Sequence, residues 1–440
     1  MDQTFLLLAS SGIEPHSLTG YLVLGIFCLG MAMIIAEAYL HMDKFKPAMF
    51  MVTGVFVIAA HYYIHDPDKL KEHMDHFQAH SMGEFCPLLI FMAIMWVIVE
   101  MMNERNIFGG LNSLLLRLGL RSRGMFWASG FLSAILSPFL NNITTAMIFG
   151  KSIQNISKDQ RYTHVAFCNI ILASNSGVWF IGTATTLMVY LNGKITIGQL
   201  FWLIPPALGG WIVSALVLDY FYLRKIGGES IDPECANEPV KRGGIPLAIA
   251  SFFAILLGVL ANVFLKIDIS FAMSGTFGCL MLFVWGLKKF HGIHIPWAQQ
   301  LQKVEWNTLL FFVGIIIGVG CLGACGWLGY IKQLFEQVNP TFCNCVLGVI
   351  SGILDNVPVE AAALAAQPTM TPSQWALNTM MVGIGGSLTV IGSAAGVMCM
   401  SLEKTYTFGA HFRFLPAILA NFFASLALWY LQYEVLKLGC

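Results

Sequence analysis

Charge is what this chain has least of. Its 440 residues include 24 Lys and Arg against 24 Asp and Glu, so 11% are charged and the formal net charge is zero. Soluble domains carry about 25% charged residues. A chain this balanced has no electrostatic footprint for nucleic acid. Residues 1–17 hold no Lys or Arg, so they do not resemble a cleaved signal or an Arg-rich transit peptide. The eleven Cys are scattered. The close pairs Cys321…Cys325 and Cys343-Asn344-Cys345 lack a His or carboxylate at metal-ligand spacing, so we expect small core residues and no metal or cofactor. The apolar regions also lack a nucleophile–base pair, and an enzyme is not expected.

What the chain has is apolar length. Hydrophobic residues make up 57% of it, and mean hydropathy is +0.71. Stretches near 20 residues are long enough to cross roughly 30 Å of hydrocarbon as helices. The fold class expected is an all-α polytopic membrane protein. The spans read as 18–40, 47–64, 86–102, 163–191, 199–223, 244–264, 268–287, 307–324, 375–400 and 412–436. Two apolar segments remain, 124–150 and 342–366.

Each remaining segment carries a polar interruption: Ser137-Pro138-Phe139-Leu140-Asn141-Asn142-Ile143-Thr144 in one, Ser351-Gly352-Ile353-Leu354-Asp355-Asn356-Val357-Pro358 in the other. Pro138 with the Asn pair, or Gly352 with Pro358, should break a helix. A hairpin that enters and leaves on one side suits such a segment, since non-helical backbone at membrane depth must be buried or line a cavity. A second polar, Gly-containing segment follows each motif: Gly182-Thr183-Ala184-Thr185-Thr186, and Gly392-Ser393-Ala394-Ala395-Gly396. The step from Asn142 to Gly182 is 40 residues, and from Asn356 to Gly392 it is 36.

Basic residues test the topology. With both termini outside and both segments treated as same-side hairpins, cytoplasmic loops receive 18 Lys and Arg and the outer side 6. Reading 124–150 as one span removes that bias. The halves 18–223 and 244–436 then run in opposite directions, joined by a cytoplasmic linker at 224–243. The expected architecture is an inverted two-fold repeat of about ten spanning helices, hairpins at 124–150 and 342–366, and broken helices at 163–191 and 375–400. In such repeats the substrate site lies near the midplane, where broken helices meet.

Asp355 is the sole carboxylate within the four motif segments, and an ionisable residue at such depth is a functional hypothesis by default. It can hold a cation or accept a proton, hardly both; the bland alternative is a helix cap. Glu37, near the end of the first span, and Glu360, four residues after Asn356, are candidate second acids. Glu100 and Glu305 sit close to helix ends, where interfacial solvation suffices. The run His61, His65, His73, His76 and His80 reads as a solvated loop over 61–84, with pH sensing as its sharper alternative.

These motifs, with Gly385-Gly386-Ser387…Ile391-Gly392-Ser393 and the early Ile35-Ala36-Glu37…His41 followed by Lys46-Pro47, resemble those of NhaD-type Na+/H+ antiporters over about residues 18–436. The resemblance implies exchange of Na+ (or Li+) for H+ across a cell (inner) membrane, with a moving hairpin-bearing part. It implies an ion pathway through Asn141, Asn142, Thr144, Asn175, Thr185 and Thr186 of the first half. In the second half the pathway would use Ser351, Asp355, Asn356, Ser387 and Ser393. The family pattern has Asp at the positions of Asn141 and Thr183, so this chain keeps one of the expected acids. The partners are the transported ions and the lipid bilayer, with a homodimer left open. The alternative is an anion carrier of the same architecture, for a dicarboxylate or arsenite; the motifs hold no Lys or Arg for a carboxylate substrate.

Overall fold

The computed structural model describes residues 14–40, 42–62, 67–117, 120–226 and 239–439. Every regular element among them is helical. The longer helices are α1 Leu18–Ile35, α2 Phe45–Tyr62, α3 Pro67–Glu104, α4 Ile107–Arg117, α5 Ser122–Leu140, α6 Asn142–Ile156, α7 Gln160–Asn175, α8 Ala184–Leu191 and α9 Ile204–Leu218. After the linker come α10 Gly244–Leu265, α11 Ile269–His291, α12 Trp306–Ala324, α13 Gly329–Gln337, α14 Pro340–Ser351, α15 Asn356–Ala366, α16 Pro372–Gly385, α17 Ala394–Leu402 and α18 Leu415–Tyr430. Seven helical stretches among the described residues are long and apolar enough to cross a membrane. The chain is therefore a polytopic helical membrane protein.

Of the ten expected spans, 47–64 corresponds to the 18-residue α2, and 163–191 and 375–400 are each two shorter helices around a non-helical stretch. Segments 124–150 and 342–366 are likewise each two helices, α5 and α6 or α14 and α15, joined at a short break.

Three local expectations need correction. Pro138 does not break its helix: it lies inside the last turn of α5, and the break comes at Asn141, whose φ of 65° is left-handed. That conformation is open to Asn because its short side chain bonds locally. Pro358 starts a helix rather than ending one, sitting in the first turn of α15 where a missing N–H costs nothing. The stretch 61–84 is not a loop over its described residues: 61–62 end α2, and from Pro67 the chain is in α3, which runs 38 residues. Its Lys, Glu, Gln and Ala are good helix formers whatever their polarity. His61 is exposed at the end of α2, while the side chains of His65, His73, His76 and His80 lie outside the described residues.

Close packing of break against break positions the site. A Cβ on Gly182 would stand 1.6 Å from the Pro138 carbonyl oxygen, and one on Gly392 would stand 2.6 Å from the Gly352 carbonyl oxygen. Only glycine lets backbone approach backbone this closely. The steps of 40 and 36 residues thus reflect a contact: in each half, the non-helical stretch after α7 or α16 rests on the break of the preceding helix pair. The two Pro-initiated helices α9 and α18 pack along each other, with Gly210 against Ser425 and the Asn421 carbonyl.

Candidate functional site

The four breaks meet around a cavity of about 700 Å³. At about 30 Å³ per water, that is room for a hydrated ion. Asn141, Asn142, Thr183, Thr185, Asp355 and Asn356 line it, as does Glu37. The first turns of α6, α8, α15 and α17 all open onto this space, so four partly positive helix N-termini converge there.

Other expected residues stand behind the lining and hold it. The Asn142 amide donates to Asn175 Oδ1 at 2.7 Å. Asn175 in turn donates to the Ser387 and Ser393 hydroxyls at 2.9 and 2.8 Å, so one fully buried side chain ties α7 to the stretch between α16 and α17. The Ser137 hydroxyl donates to the Ser174 carbonyl at 2.7 Å and stands 2.8 Å from Asn142. Ser351 repeats this with the Val382 carbonyl and Asn356, both at 2.8 Å. The Thr144 N–H is capped by Asn141 Oδ1, and the Thr186 hydroxyl bonds the Phe180 carbonyl and Thr183. Glu360 is fully buried one turn along α15 from Asn356, does not line the cavity, and its carboxyl oxygens have no hydrogen-bond partner among the described residues.

Asp355 is not a helix cap. It occupies the N-cap position of α15, yet its carboxylate accepts nothing from that helix. It accepts from Lys44 Nζ at 2.9 Å, across 311 residues of sequence. Lys44 also lies 3.7 Å from Glu37 Oε2. Both ends of the 2.9 Å pair are mostly withdrawn from solvent, at 18% and 15% side-chain exposure. Burial works against the Lys44 charge, but Asp355 and Glu37 together outweigh it and hold the ammonium above its ordinary range. Burial pushes Glu37 up; Lys44 opposes that, and the charges of Asp355 and Asp43 add to it. Both residues lie between α1 and α2, outside the spanning helices.

Sequence reasoning missed Lys44, counting it only as a cytoplasmic charge. The available signal was its place between Glu37 and Lys46-Pro47, a segment already marked by the family resemblance. It also left Glu305 to interfacial solvation, whereas Glu305 lines the cavity, where burial holds its carboxyl above the ordinary range against the Thr308 hydroxyl it accepts from. Asp43 and Lys303 complete the charged lining, giving four acids and two lysines.

Comparison with known proteins places the chain among transporters. Residues 77–383 match the family model described as "Citrate transporter", which places the chain among membrane transporters. It is 32% identical to the Na+/H+ antiporter NhaD of Alkalimonas amylolytica, covering 94% of this chain and 91% of that protein. It is 30% identical to the NhaD of Halomonas elongata, covering 93% and 88%. Sodium/proton antiporter 1 of Arabidopsis thaliana is 25% identical over 86% of this chain and 66% of its own length. The chain belongs to the NhaD family of antiporters.

Proposed function

We propose that this protein is a secondary transporter that exchanges Na+ (or Li+) for H+ across a cytoplasmic membrane by alternating access. The observation that carries the reading is Asp355, a carboxylate in a helix break that faces the cavity and is held by a lysine rather than by its own helix. Lys44 occupies the place of a monovalent cation. Neutral oxygens of the lining Asn and Thr residues supply the remaining ligands a dehydrated Na+ needs. A cation that binds Asp355 must displace the ammonium, and the four-to-two excess of acids in the lining favours cations over anions.

The same reading takes 18–223 and 244–436 as inverted repeats, with hairpins at 124–150 and 342–366 whose breaks lie near the midplane. The matched serine–asparagine geometry in the two helix pairs supports it. Both termini then lie outside, and the linker 224–243 lies in the cytoplasm. A second reading, an anion carrier, draws on the converging helix N-termini and on the description of the family model. Lys44 fills the basic position that the motifs lack, but its charge is already committed to Asp355.

Everted vesicles test the choice. Added Na+ should collapse a proton gradient, and Asp355→Asn should abolish that response. Normal exchange by Asp355→Asn, or dicarboxylate uptake without Na+/H+ exchange by the unaltered chain, would sink the reading.

A further inference from the structure

One ammonium lies within reach of two carboxyl groups, and their distances are unequal. Lys44 Nζ bonds Asp355 at 2.9 Å and stands 3.7 Å from Glu37. Movement of about 1 Å would bring it to charge-assisted hydrogen-bond distance from Glu37. The Phe311 ring, 6.0 Å from Nζ, flanks the same space. The position of Glu37 follows from local structure: α1 ends at Ile35, and Glu37 opens a separate four-residue turn that sets its carboxyl on the cavity wall.

We propose that Lys44 passes from Asp355 to Glu37 when a cation occupies Asp355, and that Glu37 is the group that gives up the exchanged proton. The proposal rests on the exchange reading above and adds the identity of the proton carrier. In this scheme the cation-free site keeps Asp355 paired with Lys44 while Glu37 carries the exchanged proton, which leaves Asp355 as the main support of the ammonium. An entering Na+ coordinates Asp355, Lys44 turns to Glu37, the Glu37 O–H bond breaks and the proton leaves into the cavity water. One cation enters and one proton leaves, so the charge of the site is unchanged.

The surroundings favour this order. Burial holds Glu37 above the ordinary carboxylate range, and the negative charges of Asp355 and Asp43 act in the same direction. Cation binding cancels the Asp355 charge and frees Lys44 to approach, and both changes make Glu37 more acidic. The remaining charged groups on the cavity wall, Lys303 and Glu305, belong to the segment leading into α12.

The test is the pH dependence of the Na+ concentration giving half-maximal exchange, measured in proteoliposomes. With one proton lost per cation bound, that concentration should rise up to about tenfold per unit of falling pH below the Glu37 pKa. Glu37→Gln mimics the neutral acid and cannot release a proton. It should flatten the dependence and cut Na+/H+ exchange at least tenfold, about the effect of one lost coupling group, while Na+/Na+ exchange persists. Glu37→Asp should restore a sloping dependence displaced along the pH axis. An unaltered slope in Glu37→Gln, or an undisplaced one in Glu37→Asp, overturns the proposal. The aspartate variant decides the matter if the glutamine variant does not assemble. Absence of Na+/H+ exchange in the unaltered protein would instead overturn the underlying function.

Discussion

At Ser137…Asn142 and at Ser351…Asn356 the chain builds the same frame. A serine hydroxyl stands 2.8 Å from the asparagine five residues on and bonds a carbonyl of the helix that follows the pair, that of Ser174 in one case and Val382 in the other. The residue before each asparagine then separates the two breaks. Asn141 is left-handed, with φ 65°, and its side chain is used at home, accepting the Thr144 N–H. Asp355 is extended, with φ −63° and ψ 153°, and leaves its own helix uncapped to reach Lys44. A break that satisfies itself can only offer ligands. A break that depends on a distant cation can exchange that cation for another.

Four substitutions can break or sharpen this contrast. The largest effect should come from Gly182→Ala, whose added Cβ would fall 1.6 Å from the Pro138 carbonyl oxygen, a backbone atom with no easy retreat. A loss of more than about 4 kcal/mol is expected, seen as failure to recover folded protein from detergent. Gly392→Ala, at 2.6 Å from the Gly352 carbonyl oxygen, should cost about 1–3 kcal/mol. Equal thermal stability of the two variants would refute the proposed difference in contact.

Next in size is Asn175→Ala. It removes the link between Asn142 and the Ser387 and Ser393 hydroxyls and strands buried polar groups, at a cost of about 1–3 kcal/mol. Exchange should fall with stability, since both sides of the cavity lose a common support. Unchanged thermal stability would mean that the network is dispensable.

The smallest effect belongs to Asn141→Asp. Asn and Asp cap helices about equally, so stability should stay within about 0.5 kcal/mol. The new charge faces the cavity, and apparent Na+ affinity in the exchange assay should rise by no more than about tenfold, or about 1.4 kcal/mol. A variant that also restored exchange to Asp355→Asn would show that the two breaks are interchangeable and the asymmetry incidental.

Much of this was legible because it is local. Spans follow from apolar length, breaks from Asn141-Asn142 and from Gly352 with Asp355-Asn356 in apolar surroundings, and the paired motifs from their repeated spacing. The spacing was legible without its reason, since contact of Gly182 with Pro138 requires the chain to fold back on itself. Polarity misled at 67–84, where charged residues suit a helix as well as a loop. Lys44 was beyond local reading: nothing near it in sequence shows that it meets a carboxylate 311 residues away. Glu305 was placed correctly near a helix start, but which side of that start faces a cavity is set by packing of other helices.

The ion pair has one more consequence. Lys44 comes from the connection between the first two helices, and Asp355 from the break between α14 and α15. The segment between the first two helices and the break between α14 and α15 are therefore tied together while Asp355 holds no other cation. On the proposed exchange the proton-carrying form travels with that tie made and the cation-carrying form with it broken, so the two strokes differ in what holds the site together. A form holding neither ion would set two carboxylates against one lysine, and the uncompensated charge disfavours the passage that would let a stored gradient leak away.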